Sequence, residues 1–456
     1  MATTIEQKPL YRQLPVGQDV IFVVKNDNIV QNQLRVKFVA EVHISDDTPP
    51  NTGSPLQVVG TFKTTPNASG VGVFDFRPII ENYVKADNMA ARYSKYKGVQ
   101  KSHAVHITDK FSRTENLVRF LAIKFAVEYL DSNNVLQTVQ EIASVPYIII
   151  NGYLKRTDIL DIFNDDFGYS LGIFFLSSSS DRFLTNAPAT QQANLEDYGT
   201  LSLMAVNANL HKIRLRYLDS TGSTIGTDEV LRTTADGAYN NWSLQTEKNL
   251  LHFGCFPANL RNWSTTFQAL VTAGTIQGGV IQITSYDVLG NKISKQYDIN
   301  VNCPDLKNYE SVRLCWLNQW GAWDYYTFTK KSTKSLSTKG STYNQLEGTW
   351  NESQYRLDGF KGGKKSFRVN TTEKIKMNTD FVSESENVMF EELINSPEIY
   401  ILDSYQQDGN FSSLNNYVTP VRLTTTSFTR KTKANDKLIQ YTFEVEKTKT
   451  LRTQAI

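Results

Sequence analysis

The chain has 456 residues, with Lys+Arg 48 against Asp+Glu 46, so its net charge of +2 offers no global attraction to nucleic acid or an anionic membrane. A 40% hydrophobic and 11% aromatic composition excludes a disordered chain. The five histidines (His43, His103, His106, His211, His252) all precede residue 253, and there are three cysteines, which disfavours catalysis built on histidine or thiol chemistry.

The first residues, MATTIEQKPLYRQ, lack the apolar core of a signal peptide. No run approaches the roughly 18–20 apolar residues of a spanning helix. The expectation is therefore a chain made in a cytoplasm, with no membrane span. Residues 46–55, rich in Asp, Thr and Pro, read as a long inter-strand loop. A helical pattern follows from Pro78 to about Tyr96. Ile123, Phe125, Val127 and Tyr129 then alternate with Lys124, Ala126 and Glu128, the signature of a half-buried strand. The polar run 131–134 turns it into a second strand from Val135, a hairpin. The apolar run 145–150 ends at Asn151-Gly152, where a first domain boundary is expected.

The same device recurs downstream. Ile213, Leu215 and Tyr217 alternate with basic residues before the turn 219–223, and Ile281, Ile283 and Tyr286 lead through Gly290-Asn291 to a return strand at 297–301. Cys303-Pro304-Asp305 marks a second boundary. A second helix is predicted from Ser383 to Ile394, with Ser396-Pro397 as its stop. Ile439, Tyr441, Phe443 and Val445 form a last alternating strand after the turn 433–436. Short strands rich in Val, Ile, Thr, Tyr and Phe with few helices predict an all-β chain of two or three β-sandwich-like domains with long extended loops. The domains are placed at 1–150, 151–305 and 306–456.

Motifs for chemistry are absent or weak. Cys255, Cys303 and Cys315 contain no CxxC and read as buried reduced thiols, so no zinc site is expected. The acidic pairs Asp46-Asp47, Asp165-Asp166 and Glu391-Glu392 are sequence neighbours, which does not place two carboxyls across a cleft. The run 161–168 lacks calcium-loop spacing. His103 and His106 have no companion ligand, and the Asn-x-Ser/Thr triplets at Asn67, Asn241, Asn262 and Asn351 read as chance. No Walker or G-x-S-x-G motif occurs. No cofactor, no metal and no catalytic residue is expected.

All six tryptophans lie between residues 242 and 350, and three of them, Trp316, Trp320 and Trp323, share the stretch 313–332. There, two strand-like runs flank a corner in which Asn318, Gly321 and Asp324 are the turn residues, with Gly321 free to take a positive φ. The indoles, with Tyr325 and Tyr326, suit either an exposed sugar platform or a hairpin buried in a core or subunit contact. The charges downstream are sorted into blocks. Residues 330–376 hold 11 Lys/Arg against 4 Asp/Glu, residues 377–420 hold 8 acids and no base, and residues 421–456 hold 8 bases against 3 acids. The first block reads as an extended arm that docks on an acidic neighbour, for which 377–420 is the natural complement within the chain or on the next subunit. Lys330, Lys331, Lys361, Lys364 and Lys365 are its candidate interface cations. A nucleic-acid surface is the less favoured reading of the same block.

The stretch W-L-N-x-x-G-x-W-D-x-Y-x-F at 316–328, followed by Lys330-Lys331-Ser332, resembles a segment of virion proteins of tailed bacteriophages, especially marine and Bacteroidetes phages. Residues 72–84 are similar to the N-terminal portion of the same group, and the two stretches together touch under a tenth of the chain. The resemblance implies a tail, collar or baseplate structural subunit of the virion, assembled in the host cytoplasm, whose partners are copies of itself and other virion proteins. The alternative is a carbohydrate-binding adhesin or tail-spike-like protein recognising a host-surface glycan. An exposed groove lined by the three indoles would favour the adhesin; their burial would favour assembly.

Overall fold

The computed structural model describes residues 2–11, 13–45, 57–86, 111–114, 117–156, 158, 183–204, 211–232, 250–287, 289–302, 309–349, 352–403, 418–433, 438–449 and 451–452. Of these, 48% lie in strands and 12% in helices, in several multi-stranded sheets, so the chain is mostly β as its alternation predicts. Two compact units are formed. One holds Met1–Cys303 and Leu317–Asp324; the other holds Pro304–Trp316, Tyr325–Asp403 and Asn415–Ile456.

The first unit begins with β1 (Thr4–Gln7), β2 (Gln13–Pro15), β3 (Ile21–Lys25), α1 (Asp27–Asn32), β4 (Leu34–Ser45), β5 (Gln57–Thr64), β6 (Val71–Asp75) and α2 (Arg77–Ile80). It continues through β7 (Phe111–Thr114), β8 (Val118–Leu130), β9 (Leu136–Ala143) and β10 (Tyr147–Ile150). One sheet has the order β1-β3-β6, the other β2-β10-β8-β4-β5 with β9 on β8. Period-two alternation turns Phe22 and Val24 of β3, Phe38 and Val42 of β4, and Ile123 and Phe125 of β8 toward a common core. The two inner faces interdigitate as a sandwich: the Phe22 ring lies 5.6 Å from Phe125 and 5.7 Å from Tyr147. The β8–β9 hairpin forms where the alternation predicts it. The helix expected from Pro78 is shorter than its pattern suggests. It ends at Ile80, and Asn82 turns its side chain back to the Pro78 carbonyl at 2.8 Å, a local bond that competes with helix propagation. Residues 87–96 of that expectation lie outside the described residues, as do 46–55.

The boundary expected at residue 150 falls inside the compact unit Met1–Cys303. Strand β10 is buried on both faces: Tyr147 and Ile149 enter the sandwich core, while Ile148 and Ile150 enter a second cluster with Phe120, Leu184, Leu250 and Trp320. A strand covered on both sides needs apolar residues at every position, which a sequence shows as an unbroken run. The sheet order β12-β15-β7 also joins β7 to β12 (Thr200–Leu203) and β15 (Leu250–Gly254), across residue 150.

The second core of this unit packs that sheet against the five-stranded order β11-β17-β16-β13-β14, where β11 is Thr190–Ala193, β13 Lys212–Leu218, β14 Thr224–Arg232, β16 Val280–Tyr286 and β17 Tyr297–Val301. Two short helices, α3 (Pro257–Trp263) and α4 (Thr265–Thr272), complete it. Their start signals are local: Pro257 opens α3, and Ser264 caps α4 by accepting the Phe267 N–H at 2.8 Å.

The second unit is built on one sheet of eight strands, in the order β19-β18-β22-β23-β24-β21-β20 with β25 on β21. The strands are β18 (Val312–Leu317), β19 (Trp323–Phe328), β20 (Thr333–Gln345), β21 (Gly363–Asn378), β22 (Ile399–Leu402), β23 (Val418–Leu423), β24 (Thr442–Lys447) and β25 (Leu451–Arg452). Helix α5 (Asn387–Asn395) follows a 3-10 turn at Glu384–Glu386, where Ser383 and Glu386 form the capping box anticipated by the Ser start. Its Phe390 ring packs at 5.5 Å from Phe443 and 5.0 Å from Tyr326. The final alternating run forms β24 only from Thr442, with Phe443 and Val445 in it; Ile439 makes an isolated bridge to Val382, Tyr441 precedes the strand, and the turn residues 434–436 lie outside the described residues.

Core and surface should respond differently to truncation. Phe22→Ala, which removes a ring with no exposed surface from the sandwich, should cost about 3–5 kcal/mol in urea unfolding. Leu336→Ala, at a side chain 68% exposed, should stay within about 0.5 kcal/mol. Equal losses would contradict the assigned core.

Candidate functional site

The Trp-rich stretch folds as the hairpin β18–β19, and Asn318 organises its corner. The Asn318 N–H donates to the Ala322 carbonyl at 2.8 Å, and its Oδ1 accepts the Trp320 and Ala322 N–H groups at 3.0 Å each. Gly321 has φ +75°, and a Cβ there would lie 2.3 Å from the Asn151 carbonyl oxygen, so conformation and space both demand glycine. A buried polar cluster surrounds the corner. Asn318 Nδ2 donates to the Leu184 carbonyl at 3.0 Å, and Gln319 Nε2 donates to Asp158 at 2.9 Å. The Thr185 hydroxyl donates to the Asp324 carboxylate. Burial pushes the Asp324 carboxyl up to about 6, opposed by the Thr185 and Asn318 hydrogen bonds, the Asn186 N–H and Lys155.

Trp316, Trp320 and Trp323 are 0%, 1% and 2% exposed. The expectation of an indole interface or sugar platform is therefore corrected: all three rings lie in the interior and present no face to a ligand or a neighbouring subunit. Tyr325 is buried as well, with the Arg313 guanidinium 5.3 Å from its ring centre, and Tyr326 is half-buried against Phe328 and Phe390. Every residue of β18 is buried, as in a strand covered on both faces, and Trp316 is its one aromatic residue. Trp350 and Trp242 lie outside the described residues.

The basic block 330–376 is not an irregular arm but a two-stranded ribbon, β20 paired with β21 from Thr333↔Lys376 to Gln345↔Gly363. Lys330 lies just before it and pairs with Asp380 at 2.8 Å, while Lys331 is exposed. At the far end Lys361 pairs with Asp358 at 3.3 Å, Lys364 is exposed and Lys365 half-buried. The same end carries exposed Leu346, Tyr355, Leu357, Phe360 and Phe367.

The acidic stretch 377–420 is only marginally the ribbon's complement. Asp380 takes Lys330 from the block. Glu391 pairs with Arg430, and Glu384 accepts the Lys433 N–H, both from the final basic block. The ribbon's base instead meets β24: Lys374 lies 3.4 Å from Glu444, and Glu373 lies 2.7 Å from Lys447. Each such surface pair is worth about 0–1 kcal/mol, so they set register more than stability.

Other chemical groups are enclosed. Ser202 and His252 face each other across β12 and β15, with Oγ 2.7 Å from Nδ1, a nucleophile–base distance that the sequence did not reveal. At 2% and 0% exposure neither reaches a substrate. Burial pushes the Cys255 thiol up to about 12 and raises that of Cys315, the inert form of a thiol. Cys303, His103, His106 and residues 161–168 lie outside the described residues. Among the described residues no three His, Cys, Asp or Glu side chains cluster as a metal site, and no helix is long and apolar enough to cross a membrane. A groove of about 630 Å³ beside the C-terminal end of α5 is lined by Pro397, Glu398, Pro420 and Arg422, with Glu398 its one carboxylate.

No protein-family model and no curated protein matches this sequence. Among solved structures, the native conformation of E. coli alpha-2-macroglobulin is similar at 7% identity and a TM-score of 0.19, covering 82% of this chain and 21% of that one. Trypsin-activated alpha-2-macroglobulin from Escherichia coli matches at 7% identity and a TM-score of 0.19, over 83% of this chain and 26% of that one. This chain thus spans about a fifth to a quarter of those proteins, and likeness at this level does not establish a shared fold.

The corner yields two expected outcomes. Gly321→Ala should lower stability by about 1–3 kcal/mol, read as a reduced urea midpoint, because it places a Cβ at positive φ against Asn151. A carboxyl raised in the folded state binds its proton more tightly there than in the unfolded chain. Its stabilisation is complete below the ordinary 3.8 and is lost as pH rises toward about 6. Asp324→Asn should therefore gain stability relative to the parent between pH 4 and pH 7 in parallel urea titrations; a pH-independent difference would refute the buried titration.

Proposed function

We propose that this chain is a structural subunit of a tailed-bacteriophage virion, a tail, collar or baseplate component that works by assembling with copies of itself and with neighbouring virion proteins. The observation that carries the reading is the β20–β21 ribbon with its connection, where Leu336, Leu357, Phe360 and Phe367 are 68%, 69%, 77% and 63% exposed and Lys364 and Arg368 are exposed as well. Apolar groups gathered on one solvent-facing hairpin are a liability for a monomer and a resource for an assembly. The resemblance of 316–332 and 72–84 to phage virion proteins supplies the class, and the mostly-β architecture is compatible with it. A non-enzymatic role agrees with the enclosure of the Ser202–His252 pair and the two described thiols. Buried indoles count against glycan binding through the Trp corner. The virion, assembled in the host cytoplasm, is the location this reading implies.

The test is a trimmed ribbon. Replacing residues 338–371 by Asn-Gly joins Ser337 to its ladder partner Thr372 through a two-residue hairpin and keeps Ile375 and Met377 in the core. Mass photometry should show multimers for the parent chain and monomers for the variant, with thermal unfolding of the first unit unchanged. Multimers of the same size from both chains would contradict the reading.

A further inference from the structure

The connection between β20 and β21 is an ordered cap. The Thr349 N–H donates to the Arg356 carbonyl at 2.9 Å, and the Thr349 hydroxyl oxygen accepts the Arg356 N–H at 3.0 Å. The Tyr355 hydroxyl donates to the Glu347 carbonyl at 2.8 Å. At the outer end Asp358 to Lys361 close a β-turn, with the Lys361 N–H 3.0 Å from the Asp358 carbonyl oxygen. Phe360 stands at the corner of that turn and is exposed, and a Cβ placed on Gly359 before it would meet nothing within 4 Å. Lys361 accompanies the ring, its Nζ 5.5 Å from the Phe360 ring centre. Asp358 is shared by Arg356 at 3.4 Å and Lys361 at 3.3 Å, so two cations divide one carboxylate beside the ring.

The same unit holds a groove of matching character. It has a volume of about 630 Å³, in the range of pockets that enclose a small ligand, and lies where α5 ends and β22 meets β23. Ile394, Pro397, Pro420 and Leu423 give it apolar walls, and Glu398 is its one carboxylate. Ile394 belongs to the last turn of α5, and that turn carries no basic residue. A helix C-terminus is the negative end of the macrodipole and favours a cation. Arg422, the one cation of the lining, is 3.6 Å from Glu446.

We infer that the Phe360–Lys361 turn of one copy enters the α5 groove of a second copy, with the ring among the apolar walls and Lys361 beside Glu398. The contact rests on the assembly reading and names the partner surface within it. An apolar ring that carries a cation matches an apolar groove that holds a carboxylate at a helix C-terminus. A neutral apolar segment would leave Glu398 and the helix end unanswered, and an acidic one would meet Glu398 with like charge. Turn and groove are different surfaces of one chain, so the contact is heterologous. It repeats head to tail, closing a ring or extending a filament.

The experiment is mass photometry of the full-length chain with a turn variant, Phe360→Ala, and a groove variant, Thr426→Trp, each at an exposed position. Each variant alone should be monomeric where the parent forms multimers. Their equimolar mixture should give dimers and nothing larger, because each pair keeps one intact turn and one intact groove. Those dimers also show that both variants are folded. Lys361→Glu should raise the concentration needed for multimers at least about tenfold, and Glu398→Lys in the same chain should restore it. A mixture that stays monomeric, or that rebuilds the parent's multimers, would overturn the contact. Multimers lost with Phe360→Ala but kept with Thr426→Trp would assign the turn to another surface and overturn the groove. If both variants multimerise as the parent does, the contact falls and the assembly reading stands; a monomeric parent overturns both.

Discussion

Backbone hydrogen bonds close a two-stranded ribbon but give it no interior, and β21 lives on both sides of that limit. Its C-terminal part, at Ile375 and Met377, is held by burial in a sheet of eight strands. Its N-terminal part, from Gly363, pairs with β20 and is largely exposed. The burial falls away beyond Lys374, where the pairing with β24 stops. In the part paired with β24, apolar residues on one face and charge pairs on the other satisfy the strand; beyond it the strand carries Lys364, Lys365, Phe367 and Arg368 toward solvent. A ribbon that begins in the core and carries exposed apolar and cationic side chains away from it is the physical basis of the functional reading.

The charge blocks of the last third take their meaning from register. Composition alone pairs the basic block with the acidic stretch that follows it, because the two are adjacent and opposite. The ladder decides otherwise: Glu444 and Glu446 sit across from Lys376 and Lys374, and Glu384 and Glu391 meet the final basic block. Partners in a sheet are chosen by strand order, and strand order joins residues far apart in the chain. The near-neutral total of the sequence is thus the sum of local pairings, with the ribbon's outer cations left over.

Much of this was legible in the sequence. Period-two runs at 123–129, 213–217 and 281–286 became strands, and the Ser383 helix start became a capping box, because these signals are local. Gly321 was legible too, since a tight corner leaves glycine as the residue of choice. What could not be read were burial and long-range partnership. The run at 147–150 looks the same whether it ends a domain or crosses an interior, and the three indoles look the same as platform or core. Asp324 finds Thr185 and Ser202 finds His252, pairs that only the folded topology brings together. The helices α3 and α4 escaped notice because each is too short to show a helical period.

Hydrogen exchange on the assembled particle tests the central claim most directly. If the ribbon is the assembly surface, backbone amides of β20 and β21 become protected on assembly while the buried strand β18 stays as protected as before. Particles that form with those amides exchanging as fast as in the monomer would contradict the account.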